Sequence, residues 1–234
     1  MARFSRYFLP VVLQRLGTPF FFDLKLFMRT WLNVLLPHRL YRYRRILGQP
    51  HQRLHLGFGS QVFEGWTNVD MNPEDDFTLN LCEGLPFNDG RVKAIFTEHT
   101  LEHFYWEHDA PFLVWEFLRV IKPGGSIRLA VPDAEVYVKY YVQNVNDKAA
   151  EDFQASQRGF HGTPIDVMNS ALRWKYHHFY YMYDEETLPL LLKEAGFVDI
   201  RGESYDQSSV EEFRTLDSEA RQFGTLYTAG RKAA

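Results

Sequence analysis

Short apolar runs alternate with longer amphipathic segments from residue 53 to the C-terminus. Runs that end at Gly, Asn or Asp predict β-strands, and segments whose apolar positions recur every three or four residues predict helices. This alternation is typical of an α/β fold whose sheet is mostly parallel. The predicted strands span residues 53–56, 67–70, 77–81, 93–97, 126–131, 198–201 and 225–228.

Two helices in this region carry end signals. Residues 110–121 predict a helix with Asp109 as N-cap, and residues 184–195 predict another that Asp184 caps and Gly196 ends. Only residues 60–66 separate the first two strands. A crossover that contains a helix needs about a dozen residues, so the sequence predicts a loop or a single turn there.

The first 47 residues predict an amphipathic helical segment that precedes the α/β region. Its net charge is +8 over residues 1–45, whereas the remainder carries −12, which places a boundary near Gly48 and divides the chain into 1–50 and 51–234. Two interpretations stay open: peripheral contact of residues 1–47 with an anionic membrane, or packing on the following domain as a lid. One apolar face is defined by Leu24, Phe27, Met28, Trp31 and Leu35.

Composition points to the cytoplasm. The single cysteine, Cys82, excludes an intrachain disulfide, which suits a reducing compartment, and we expect it to pack as a small apolar residue. No apolar run reaches the ~18 residues of a membrane-spanning helix, and no clean signal peptide is present. We therefore expect a cytoplasmic protein, with any membrane contact at the inner face of the cell membrane.

The candidate chemistry begins where the first two strands end. The first strand runs into Gly57 and Gly59, and the second ends at Asp70. Glycines let a ligand approach the backbone closely, and a carboxylate accepts hydrogen bonds from both hydroxyls of a ribose. The pattern indicates a nucleoside-containing cofactor at the carboxyl ends of parallel strands.

Residues 53–131 resemble the class I (Rossmann-like) S-adenosylmethionine-dependent methyltransferases, especially a bacterial type-11-like group with a shortened first crossover. The resemblance rests on the order of four segments: 54–60, 65–70, 80–87 and 97–103. It implies S-adenosylmethionine as the cofactor, and a mostly parallel sheet with an antiparallel C-terminal strand. The cofactor-binding residues it implies are Leu56, Gly57, Phe58, Gly59, Asp70, Met71, Asn80, Leu81, Thr97 and Glu98.

Two of these positions depart from the family pattern. Phe58 stands where a cysteine or another small residue is common, so it either packs or narrows the pocket; the latter leaves a non-catalytic scaffold as an alternative. Asn80 stands where aspartate is common. Its amide still donates and accepts hydrogen bonds, and the Leu81 backbone amide is an equal candidate for the adenine contact.

The acceptor side is expected around His99 and in an insert over residues 132–183. Methyl transfer to a hydroxyl gains from a general base, and His161, His177 and His178 are the candidates in the insert. No ligand spacing requires a metal. Nucleic acid is disfavoured by the acidic charge of this part and by the absence of base-methylation motifs. The resemblance implies a glycan or small-molecule hydroxyl as acceptor, in polysaccharide biosynthesis; N-methylation of a small amine is the alternative.

Overall fold

The computed structural model describes residues 37–49, 52–57, 59, 61–70, 77–143 and 181–234, together with residues 163, 165 and 168–169. The helices are α1 (Pro37–Gly48), α2 (Asp109–Val120), α3 (Ala134–Gln143) and α4 (Thr187–Ala195). The strands are β1 (Gln52–Leu56), β2 (Thr67–Asp70), β3 (Phe77–Thr78), β4 (Val92–Glu98), β5 (Ile121–Pro132), β6 (Val198–Glu203) and β7 (Thr225–Arg231).

The strands form one seven-stranded sheet in the order β3-β2-β1-β4-β5-β7-β6. Neighbouring strands from β3 to β5 pair in parallel, and β7 runs antiparallel to both β5 and β6. The predicted Rossmann-like sheet with an antiparallel C-terminal strand is therefore confirmed. All seven predicted strands are present, with ends that differ by a few residues.

The larger differences lie at element ends. The third strand stops at Thr78, and Leu81, the last residue predicted for it, begins a 3-10 turn at Leu81–Glu83 with Asn80 at its N-cap. Asp109 is the first residue of α2 rather than its N-cap, since the Tyr105 carbonyl already accepts hydrogen bonds from the amides of residues 109 and 110. The prediction for Asp184 is right in substance: its carboxylate accepts from the Thr187 amide at 2.8 Å, and Gly196 ends α4 in a left-handed conformation.

One face of the sheet carries the main apolar core. Buried residues of β1, β4 and β5 pack there with Leu113 and Phe117 of α2 and Leu188 and Leu191 of α4. Helix α1 joins this core through Tyr43, Ile46 and Leu47. This packing favours the lid interpretation for the end of the basic segment, whereas residues 1–36, with the apolar face predicted there, lie outside the described residues.

The other face of the sheet is covered by the connection between β6 and β7. The described residues between β1 and β2 include no helix, as the short spacing predicts. Instead, the connection between β6 and β7 (residues 204–224) places Val210 and Phe213 against Trp66, Ala94 and Phe96. This β6–β7 connection therefore fills the space that a crossover helix after β1 would occupy.

A buried ion-pair network fastens the β6–β7 connection to the sheet. Arg128 of β5 is fully buried and donates to Asp217, at 2.6 Å, and to Glu203. Its guanidinium also donates to the Ser204 carbonyl at 3.1 Å and lies 4.9 Å from the Tyr227 ring centroid. One side chain thus holds the connection at its start, Ser204, and again at Asp217.

We predict that Glu203→Ala destabilises the protein by about 3 kcal/mol or more, because it leaves Arg128 buried without one of its two carboxylate partners. Glu135→Ala removes an exposed carboxylate that pairs with Lys139 on α3, and serves as the matched control with an expected cost below about 1 kcal/mol. Urea unfolding measures both. Equal costs for the two variants would contradict the assigned role of the network.

Candidate active site

The sheet register brings the predicted cofactor residues to one level. Leu56 of β1 pairs with Val69 of β2 and with Thr97 of β4. The next residue on each strand, namely Gly57, Asp70 and Glu98, therefore lies at the carboxyl edge of the sheet. Residues that are far apart in the chain are adjacent here.

Gly57 is required by its surroundings as well as by its backbone. Its φ is +68°, and its amide donates to the Val69 carbonyl at 2.8 Å. A Cβ at this position would lie 2.6 Å from Thr100 Cγ2 and closer still to Thr100 Oγ1. The Thr100 side chain, which lies 3.2 Å from the Glu98 carbonyl, thus packs directly on the glycine loop.

Asp70 joins the glycine loop to the end of β2. Its Oδ2 accepts a hydrogen bond from the Gly59 amide at 2.8 Å. Among the described residues, the atom nearest to a Cβ on Gly59 would be Arg221 Nη2, at 4.0 Å. Within this part of the structure Gly59 thus has room beside it and a carboxylate at a fixed position, which suits a ribose.

Asn80 has a local structural task. Its Oδ1 accepts from the Cys82 amide at 3.1 Å, and its Nδ2 donates to Glu83 at 3.1 Å. These bonds cap the 3-10 turn at Leu81–Glu83, which favours the Leu81 backbone over the Asn80 side chain as the adenine contact. The prediction for Cys82 is wrong: the turn leaves it exposed.

Glu98 ends β4 with a buried carboxylate that has two partners from the β6–β7 connection. Its Oε1 accepts from the Ser218 amide at 3.0 Å, and its Oε2 from Arg221 Nη1 at 3.2 Å. Burial raises the pKa of Glu98, and the bonds to Ser218 and Arg221 oppose that rise. Arg221 is not among the predicted site residues, because no local pattern in the sequence places residue 221 beside residue 98.

His99 is held as a neutral side chain. It has a positive φ of 51°, and its Nε2 lies 2.8 Å from Thr225 Oγ1. Burial, with the nearby Arg221 charge, lowers the pKa of His99 to about 3. Thr225 Oγ1 in turn donates to the Arg221 carbonyl, so the His99 Nε2 carries the hydrogen and its Nδ1 is an acceptor.

Glu102 is fully buried beside His99. Its Oε1 lies 3.8 Å from His99 Nδ1 and 3.8 Å from His103 Nε2, and neither of its oxygens has a hydrogen-bond partner among the described residues. Burial raises the pKa of Glu102 to about 8. Glu102 is therefore held protonated near neutral pH, and at 3.8 Å its carboxyl is too far from His99 Nδ1 for a hydrogen bond.

The two ends of the predicted insert meet next to this buried acid. Asp133 and Tyr183 form a parallel bridge, and the Tyr181 amide donates to the Glu102 carbonyl at 3.4 Å. Tyr181 also stacks on Trp106, with ring centroids 4.4 Å apart. An aromatic wall therefore lies on the side of the site where the insert begins and ends.

Several predicted site residues lie outside the described residues, and their roles stay predictions. They are Phe58, Met71, His161, His177 and His178. Within the described part of the chain, no group of three or more His, Cys, Asp or Glu side chains is placed to hold a metal ion.

Residues 65–129 match the family model described as a methyltransferase domain. This match covers β2 to β4 and most of β5, and it includes the segment 97–103. It confirms the predicted resemblance, and with it the expected enzyme class and its cofactor, S-adenosylmethionine, whereas the domain bounds 51–234 stay a prediction. The chain matches no curated protein.

Solved structures with a similar fold share little sequence with the chain. A complex that contains the Haloferax volcanii Trm112 methyltransferase activator matches at 18% identity, over 91% of this chain and 96% of that one, with a TM-score of 0.48. A SAM-dependent methyltransferase from Archaeoglobus fulgidus is 17% identical over 85% of this chain and 93% of that one, with a TM-score of 0.46. Haemonchus contortus phosphoethanolamine N-methyltransferase 2 in complex with S-adenosyl-L-methionine is 14% identical over 83% of this chain and 52% of that one, with a TM-score of 0.42. Nothing about an acceptor or a partner follows from these matches.

We predict that Glu102→Gln stabilises the protein more at pH 8 than at pH 5. The folded state holds the Glu102 proton up to a pKa of about 8, whereas the unfolded chain releases it near 4.5, so wild-type stability falls as pH rises between these values. Glutamine has nearly the same shape and does not titrate, so its advantage grows to on the order of a few kcal/mol. Urea unfolding at both pH values measures it, with the exposed Glu135→Gln as a control that should show no such trend.

Proposed function

Because residues 65–129 carry a methyltransferase domain, we propose that this protein transfers the methyl group of S-adenosylmethionine to a hydroxyl oxygen of a sugar, a glycan or another small molecule. The observation that supports the proposal most is the convergence of Gly57, Asp70 and Glu98 at one edge of the sheet. We take N-methylation of a small amine as the second candidate.

The residues at this edge fit the cofactor. Asp70 holds the ribose hydroxyls, the backbone of residues 57–59 faces the methionine part, and the backbone of the segment 97–103 receives the amino group. Thr97 Oγ1 is buried without a hydrogen-bond partner among the described residues, which leaves a polar atom for the ligand at the same level. The bound cofactor supplies an electrophilic methyl group on a positively charged sulfur.

The acceptor side must align a nucleophile with that methyl group and exclude water. The neutral His99 suits a site beside a positive sulfur, since a charged imidazole there would repel it. The deprotonation of the acceptor hydroxyl falls to a histidine of the insert, and His161, His177 and His178 are our candidates. Trp106 and Tyr181 offer flat apolar faces against which a sugar ring can pack.

The basic N-terminal segment suggests that the protein binds its acceptor at a membrane surface. We extend the proposal to peripheral contact of residues 1–47 with the inner, anionic face of the cell membrane, where a lipid-linked sugar would be within reach. Arg44 and Arg45 are exposed on α1 while Tyr43, Ile46 and Leu47 pack on the core, so this helix has a basic outer side. None of the helices in the described part of the chain has the length and apolarity needed to cross a bilayer.

Asp70→Ala is expected to weaken S-adenosylmethionine and S-adenosylhomocysteine binding by about 10- to 100-fold, because two hydrogen bonds to a carboxylate are lost. Asp89→Ala, which removes an exposed carboxylate from the Arg119 pair, should leave binding unchanged. Calorimetric titration measures both affinities. A well-folded wild-type protein that binds neither ligand would favour the scaffold alternative.

Once binding is established, incubation with radiolabelled cofactor and a panel of sugars, lipid-linked sugars and small amines identifies the acceptor. The product mass separates O-methylation from N-methylation. With that acceptor, alanine substitution of His161, His177 or His178 tests each as the base at saturating cofactor. Wild-type turnover in all three variants would reject an insert histidine as the base.

Flotation with phosphatidylglycerol vesicles is expected to carry the full-length chain but not a chain that begins at Pro37. This truncation keeps α1, whose apolar side belongs to the core, and removes the predicted amphipathic face of residues 24–35. Phosphatidylcholine vesicles serve as the uncharged control. Equal flotation of the two chains would assign membrane contact elsewhere, and flotation of neither would leave residues 1–47 to a packing role.

A further inference from the structure

Arg221 lies over the glycine loop at the end where the methionine part of the cofactor is expected. Its Nη1 is 3.2 Å from the Glu98 carbonyl oxygen and 3.2 Å from Glu98 Oε2. Its Nη2 is 4.0 Å from the position that a Cβ of Gly59 would take. The guanidinium therefore lies between the end of β4 and the loop that follows β1.

The Arg221 side chain has hydrogen-bonding capacity to spare. Of its three nitrogens, only Nη1 has a hydrogen-bond partner among the described residues, so Nε and Nη2 remain available there. The side chain is 39% exposed, so part of it can be reached from solvent. A guanidinium presents its N–H groups in a planar fork that matches a carboxylate.

The backbone of Arg221 is held from two sides. Its carbonyl accepts from Thr225 Oγ1, which also contacts His99. Three residues earlier the Ser218 amide binds Glu98, and next to it Asp217 is paired with the buried Arg128. The guanidinium is thus positioned before any ligand arrives, which lowers the entropic cost of using it for binding.

Charge complementarity identifies the ligand group. Burial raises the pKa of Glu98 and Glu102 and lowers that of His55 and His99; the positive charge of Arg221 opposes the first change and adds to the second. A cofactor with a positive sulfur and a positive ammonium would be repelled by a further cation unless its own anion met that cation. The only anionic group of S-adenosylmethionine is the carboxylate of its methionine part.

We propose that Arg221 binds the methionine carboxylate of S-adenosylmethionine, which makes the β6–β7 connection a cofactor-binding element. This assignment rests on the proposed function, since it presupposes that the cofactor binds at the carboxyl edge of the sheet.

The test compares S-adenosylmethionine with decarboxylated S-adenosylmethionine, which keeps both positive charges and lacks only the carboxylate. Calorimetry gives the affinity of each ligand for the full-length wild-type chain, Arg221→Gln and Arg221→Lys. We expect Arg221→Gln to weaken S-adenosylmethionine binding about 10- to 100-fold and to change binding of the decarboxylated ligand less than about threefold. Arg221→Lys, which keeps the charge without the fork, should fall between.

Arg214→Gln is the matched control. It removes a guanidinium from the same connection, and the Arg214 side chain donates to the Ser208 carbonyl rather than to Glu98. Its affinities for both ligands should equal those of the wild type. Retained binding of the decarboxylated ligand by Arg221→Gln also shows that this variant is folded.

Two results would overturn the assignment of Arg221 and leave the proposed function intact. One is an unchanged affinity of Arg221→Gln for S-adenosylmethionine. The other is an equal loss for both ligands in both Arg221 variants, which would mean a structural role. A folded wild-type chain that binds neither ligand would reject the proposed function itself, and this assignment with it.

Discussion

The short connection between β1 and β2 is the constraint on which the arrangement of this protein depends. A sheet face with buried Ala94 and Phe96 must be covered, and the ten residues between β1 and β2 are too few for a crossover that contains a helix. The β6–β7 connection covers that face, and the buried Arg128 holds it at Ser204 and at Asp217. One consequence is that residues near the C-terminus reach the glycine loop.

Electrostatics at the carboxyl edge follow from burial. Desolvation keeps His99 neutral and raises the pKa of Glu102 to about 8, so this buried pair carries little charge near neutral pH. The edge can then receive a positively charged sulfur without an imidazolium beside it. The buried Glu102 makes the folded state less stable as pH rises towards 8, because the unfolded chain releases the proton that the folded state retains.

Much of the fold and part of the site could be predicted from local pattern. All seven strands, the short first crossover and the capping role of Asp184 depend on residues that are close in sequence. Asp109 and Cys82 were predicted wrongly because a neighbouring carbonyl and a 3-10 turn, respectively, changed their surroundings. Residue type alone does not reveal such competing hydrogen bonds.

The sequence by itself determined where the strands lie along the chain, the glycines and the acid at their ends, and the class of cofactor. Each of these depends on short spacings and on residue chemistry. Only the tertiary structure decided which side chains contact these strand ends. It packed Thr100 on Gly57, buried Glu102 beside His99, and brought Arg221 to Glu98. The contacts of Thr100 with Gly57 and of Arg221 with Glu98 join parts of the chain that are distant in sequence, and sheet register and the need to cover an apolar face set their geometry. Glu102 and His99 are close in sequence, but their burial depends on the surrounding fold.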